Sequence, residues 1–206
     1  TKTPGTVKCE KKLDFTSSNP LTEQQQKDYG IYFEDNTDGS HTLTLYNANI
    51  EVALEVARFG QVSGIINLPA NTKVILMGVN NIKNTIATSS NAAASVFMKG
   101  DGFISSDSAT NGELNMSGGG YGIYSESSSE GEVRFENAKI NFSDSNYTSG
   151  SGIFISYAKQ NVIFDNSNIT VTNTKGNGLD FSGTVTFRNN SKINVNSSGG
   201  AAGVKG

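Results

Sequence analysis

Residues 133–142 read Val133-Arg134-Phe135-Glu136-Asn137-Ala138-Lys139-Ile140-Asn141-Phe142: apolar and polar side chains alternate, Asn137 interrupts, and the alternation resumes. A period of two is the signature of a half-buried strand, and it points Val133, Phe135, Ile140 and Phe142 to one side and Arg134, Lys139 and Asn141 to the other. Asn and Gly are the residues that most readily take positive φ, so the asparagine between the two strands reads as a tight left-handed corner.

The same phrase recurs along the chain. Clear copies are Leu43-Thr44-Leu45-Tyr46-Asn47 with Ile50 and Val52, Val162-Ile163-Phe164-Asp165-Asn166 with Ile169 and Val171, and Val185-Thr186-Phe187-Arg188-Asn189 with Ile193 and Val195. Two weaker copies carry glycine at the corner: Val74, Leu76, Gly78, Ile82 and Val96, Met98, Gly100, Phe103. A second phrase precedes most of them: Gly30-Ile31-Tyr32, Gly64-Ile65-Ile66, Gly122-Ile123-Tyr124, Gly152-Ile153-Phe154, Gly178-Leu179-Asp180 and Gly203-Val204-Lys205. Each unit therefore holds three short strands, and the variable spacing between corners is that of stacked coils with insertions.

One coil cannot bury its apolar side alone; its inward residues need their equivalents one strand spacing, roughly 4.8 Å, above and below. The expected fold is all-β, a parallel β-helix of about six to seven coils with a short N-terminal capping helix. Its corner ladder would run Asn47, Gly78, Gly100, Asn137, Asn166, Asn189, and its inward second-strand column Leu45, Leu76, Met98, Phe135, Phe164, Phe187. Residues 1–29 read as a lead-in and cap, irregular and linker-like over 1–20. A helix is expected over Leu21–Asp28, opened by a Thr22-x-x-Gln25 capping box. Residues 30–206 form the β-helix domain, with the C-terminus in mid-coil, truncated or continuing.

Composition narrows the function. The 24 Asn, 25 Ser, 18 Thr and 23 Gly exceed two fifths of the 206 residues, while charged residues are only 17%. Apolar residues recur throughout, so this is no charge-rich disordered tail. A net charge of −3 and only three arginines (Arg58, Arg134, Arg188) leave no basic face for nucleic acid. No apolar run approaches the roughly 20 residues of a membrane span. The lone Cys9 has no disulfide partner in the chain and reads as a thiol under the N-terminal edge of the core.

On these repeats the chain resembles the right-handed parallel β-helix superfamily that includes pectate lyases and polygalacturonases. More narrowly, Leu43-Thr44-Leu45-Tyr46-Asn47-Ala48-Asn49-Ile50 and Gly122-Ile123-Tyr124-Ser125 look like phrases of secreted bacterial carbohydrate-binding domain-containing β-helix proteins. That resemblance implies a non-catalytic protein, secreted or at the bacterial cell surface, that binds polysaccharide or a host or cell-wall glycan, acidic sugars included, in some cases with calcium.

Catalysis finds little support in the residues. His41 is the only histidine and has no aspartate pair in register, and Arg134 and Arg188 do not align with an acid cluster. No cofactor is expected, although calcium is possible at Glu34-Asp35-Asn36-Thr37-Asp38-Gly39-Ser40, which turn chemistry explains equally well.

The more informative feature is the outward row of the first strand: Tyr32, Ile66, Tyr124, Phe154 and Asp180, with Tyr121, Tyr147 and Tyr157 entering or leaving it. Aromatic faces stack on the apolar faces of sugar rings, so Tyr32, Tyr121, Tyr124, Tyr147, Phe154 and Tyr157 are the candidate ligand-binding residues. The same rings can instead be buried under loops as satellite packing. The expected function is polysaccharide binding, with a structural or adhesin stalk as the alternative and a polysaccharide lyase or glycoside hydrolase third.

Overall fold

The computed structural model describes residues 1–56, 62–86, 91–126, 130–143, 147, 150–156, 159–197 and 204–205. The chain is a parallel β-solenoid. It passes repeatedly through three sheets in the same order, so each strand pairs with the equivalent strand of the next coil. Sheet 1 stacks Ile31–Asp35, His41–Tyr46, Thr72–Met77, Gly102–Ser106, Gly131–Glu136, Gln160–Asp165 and Val185–Arg188. Sheet 2 stacks Asn49–Val52, Val79–Asn84, Glu113–Ser117, Lys139–Ser143, Asn168–Thr174 and Lys192–Ser197. Sheet 3 stacks Leu13–Asp14, Gly64–Leu68, Ala94–Met98, Tyr121–Ser125, Ser151–Ile155, Leu179–Phe181 and Val204–Lys205. Every pairing is parallel except that of Ile31–Asp35 with His41–Leu45.

Inward residues align into columns that form one core. In sheet 1 the column is Leu43, Val74, Ile104, Phe135, Phe164, Phe187. In sheet 2 it is Ile50, Ile82, Met116, Phe142, Val171, Val195, and in sheet 3 Leu13, Ile66, Val96, Ile123, Ile153, Leu179. Burying each such Leu, Ile or Phe contributes about 1.5–3 kcal/mol, which a single coil could not gain by itself.

The expected sheet 1 column is corrected at two places. Met98 lies in sheet 3, paired between Leu68 and Ser125, and Leu76 meets Ser106 instead of continuing towards Phe135. Met98 ends the sheet 3 strand Ala94–Met98, and the displacement of Leu76 goes with the segment 107–112 after Gly102–Ser106. There the Asp107 carboxylate accepts from the Ala109 and Thr110 N–H groups and closes a turn, and the register of the next coil shifts by two.

The corner ladder needs one replacement for the same reason. Asn47, Gly78, Asn137, Asn166 and Asn189 all have positive φ between sheets 1 and 2, with Asn47, Asn137, Asn166 and Asn189 between 47° and 51°. Gly100 instead turns from sheet 3 to sheet 1, as Asn71 does on the preceding coil. Its place belongs to Asn111 (φ 50°), two residues before Glu113 as Asn137 is two before its pairing partner Lys139. The Asn166 amide donates to Asn137 Oδ1 at 2.8 Å, and Asn47 Oδ1 accepts from the Val79 N–H at 3.0 Å. The Asn47 side chain fills the space where a Cβ on Gly78 would sit, so a side chain there would have to push the Asn47 amide off the Val79 N–H.

A second, inner ladder lies beside it. The Ala48 N–H donates to Asn80 Oδ1 (2.9 Å), the Ala138 N–H to Ser167 Oγ and the Ser167 N–H to Ser191 Oγ (each 3.1 Å). The corner backbone of one coil is thus satisfied by a side chain of the next.

The N-terminal segment caps the stack. The helix runs Glu23–Tyr29 with the Thr22–Gln25 capping box formed, and Gly30 closes it in the left-handed conformation. Residues 1–20 are more ordered than a linker: Cys9 bridges Ile50 at the edge of sheet 2, Leu13–Asp14 extend sheet 3, and the Phe15 N–H donates to the Asn67 carbonyl. Cys9, Leu13 and Phe15 are buried there, because an open first coil would leave its apolar columns in water. Among the described residues, no helix is long and apolar enough to cross a membrane.

Candidate functional site

The outer face of sheet 3 holds the row Asn67, Phe97, Tyr124, Phe154, Asp180. Tyr124 and Phe154 are adjacent, as their shared phrase requires. Ile66 is not in the row: Gly64 aligns with Ala94 and Tyr121, so its phrase is offset by one residue and Ile66 faces the core. Tyr32 lies in the antiparallel strand of sheet 1. Its phenol accepts from the Thr3 N–H (2.8 Å) and donates to the Thr3 carbonyl (3.0 Å). Phe97 occupies the place expected of Ile66. Tyr157 lies outside the described residues.

These rings stack on one another. Phe97 and Tyr124 have centroids 5.7 Å apart and planes at 18°, and Tyr124 and Phe154 are 4.9 Å apart at 17°. Tyr121 packs its ring against Tyr124, Tyr147 and Phe154, and Val62 and Ala92 from the flanking loops join the cluster. Both faces of Tyr124 are covered by neighbouring rings, so the row presents ring edges and a phenol to solvent. A sugar needs an open face.

Burial pushes the Tyr121 phenol well above its ordinary value, with Tyr147, Tyr124 and Asp180 adding to the effect. A phenol whose folded pKa lies above its unfolded value of about 10 adds stability that is intact below that value and is lost as pH rises towards the folded one. Phenolate absorbance against pH is expected to show Tyr121 ionising together with alkaline unfolding. Full ionisation of every tyrosine while the circular dichroism of the fold is unchanged would contradict this.

A different arrangement occupies the outer face of sheet 1. Its central row is Thr42, Lys73, Phe103, Arg134, Ile163, Thr186, brought together from successive coils. Around Lys73, Phe103 and Arg134 lies a groove of about 390 Å³, walled by Asp101 and Glu132 on one side and Glu136 on the other. This volume is within the range of ligand sites. Lys73 Nζ sits 5.1 Å from the Phe103 ring centroid. It ends a flexible, exposed side chain, and leaving the ring costs only about 0.5–1 kcal/mol.

Arg134 is held in place. Its Nη2 lies 3.2 Å from Glu136 Oε2 and 3.1 Å from Asp165 Oδ2, and Asp165 Oδ1 accepts from the Asn189 amide at 2.6 Å. As expected, Arg134 does not align with the acids: Glu136, Asp165 and Arg188 share the neighbouring column, but the long guanidinium reaches both carboxylates diagonally. The Asp101 carboxylate accepts from the Glu132 N–H at 3.1 Å, which fixes that wall. In chemical terms the groove offers carboxylates that accept from hydroxyls, a cation that donates, and one ring.

The segment Glu34–Ser40 forms the hairpin turn between the cap strand and sheet 1. The Asp38 carboxylate accepts from both the Ser40 hydroxyl (2.6 Å) and its N–H (2.9 Å), which lowers its pKa, and His41 Nδ1 lies 2.7 Å from Asp35. Among the described residues, no group of three or more His, Cys, Asp or Glu side chains is placed to hold a metal ion.

Apart from Arg134, the groove residues were not singled out by sequence, because each is ordinary in its own coil and only the register brings them together. Compared with family models, with curated proteins and with solved structures, the chain matches none, and its function is therefore read from this geometry.

Proposed function

We propose that this solenoid is a non-catalytic polysaccharide-binding module, acting outside the cell, and that the sheet 1 groove holds the glycan. The observation that carries this reading is the row Lys73, Phe103, Arg134 inside a concave site walled by carboxylates. Sugar rings combine an apolar face with a rim of hydroxyls. Such a ligand calls for one aromatic contact and several converging donors and acceptors, and the groove supplies both. The resemblance of the repeats to secreted carbohydrate-binding β-helix proteins supports the same reading.

Affinity electrophoresis against a panel of plant and microbial polysaccharides tests it. At least one polymer is expected to retard the protein, and Phe103→Ala to weaken that retardation about tenfold, equivalent to about 1.4 kcal/mol. A Tyr124→Ala, Phe154→Ala double variant is expected to bind as the parent does. No retardation by any polymer would favour the stalk reading. Loss of binding in the double variant but not in Phe103→Ala would move the site to sheet 3.

A further inference from the structure

We infer that the groove takes uncharged sugar units and rejects uronates, an inference that rests on the polysaccharide-binding reading above. Three carboxylates, Asp101, Glu132 and Glu136, line the groove with two cations, Lys73 and Arg134, leaving the lining at −1, and behind it Asp165 stands beside its cross-strand partner Arg188. The cations are unequal. Arg134 already faces two carboxylates, Glu136 and Asp165, through its Nη2, so much of its charge is offset before a ligand arrives. Lys73 makes no ion pair among the described residues, and its Nζ sits 5.1 Å from the Phe103 ring centroid. It is the cation of the lining whose charge no described acid offsets.

On the opposite wall, Glu132 projects from the strand whose backbone N–H is tied to Asp101, so two carboxylates stand together beside the ring. A sugar seated on Phe103 offers its hydroxyls to these acceptors. A uronate in the same position would bring a third carboxylate against them, and like charges placed together lose binding steeply. Lys159 is paired with Glu130 and adds no free positive charge.

The test compares matched polymers: galactan, glucomannan and a soluble cellulose derivative, each offered neutral and again with its primary hydroxyls oxidised to carboxylates. For whichever backbone binds, the oxidised form is expected to bind about tenfold more weakly or worse at low salt. That gap should shrink as ionic strength rises, because screening weakens the repulsion. Glu132→Gln removes one of the repelling charges without a described hydrogen bond to lose, and it should narrow the ratio between neutral and oxidised binding, each measured on the variant itself, whatever it does to the neutral affinity. Equal or tighter binding of the oxidised polymer, or a gap that Glu132→Gln leaves unchanged, overturns the inference and leaves the glycan reading standing. Binding of neither form of any backbone overturns both.

Discussion

Phe164→Ala is expected to lower the unfolding free energy by about 3–5 kcal/mol, measured by urea denaturation. Phe164 is fully buried in the sheet 1 column, its ring 4.9 Å from Phe135 at 9° and 5.3 Å from Phe187 at 10°, with Phe181 at 5.9 Å across the core. Removing it takes the shared layer from three other rings at once, and backbone strands bonded above and below cannot collapse far into the space. Coils in a solenoid touch only their neighbours, so the damage should be local: amides of 185–197 should exchange faster than those of 72–77. Phe187→Ala supplies the control. That ring belongs to the same column but is 53% exposed, and its loss should cost less than about 1.5 kcal/mol. Equal costs at the two positions would show that stacking within the column is not what fixes the stability.

Asn80→Leu is expected to destabilise by about 2–3 kcal/mol, although leucine is the residue that Asn80 pairs with on the next coil, Leu114. The buried Asn80 amide accepts from the Ala48 N–H at 2.9 Å, and its nitrogen faces the carbonyls of Met77, Gly78 and Glu113 at 3.2–3.3 Å. Leucine gains apolar burial but strands the Ala48 N–H, while the Met77 and Gly78 carbonyls keep the Asn47 and Glu113 N–H groups. Should the leucine variant unfold at the same urea concentration as the parent, the amide is a tolerated passenger in the core.

These two positions also show what the sequence discloses. Phe135, Phe164 and Phe187 sit at the same point of the same phrase, and their column is legible from period-two alternation alone. The four corner asparagines that end the clear copies, Asn47, Asn137, Asn166 and Asn189, are equally plain, because only one backbone conformation suits them all. Asn80 was invisible: a polar residue at an inward position reads as a flaw in the pattern until the coil above supplies the N–H that needs it.

Asn111 was missed because its coil is the least typical. Ile104 is the only large inward residue of Gly102–Ser106, and a turn separates it from its corner, so the better-looking Val96-Met98-Gly100 took its place in the count. The site followed the same rule. Tyr124 and Phe154 share a phrase and were found; Lys73, Phe103 and Arg134 come from three different phrases, and only the two-residue register shift aligns them.

The cap sets a direction on the molecule. Cys9, Leu13–Asp14 and Ile31–Asp35 lay part of the chain along each of the three sheet edges at one end, the last running against the grain of its sheet. A filament of end-to-end solenoids needs two receptive ends per molecule. With one of them sealed, any such joining through the other stops at a pair and cannot propagate into a fibre.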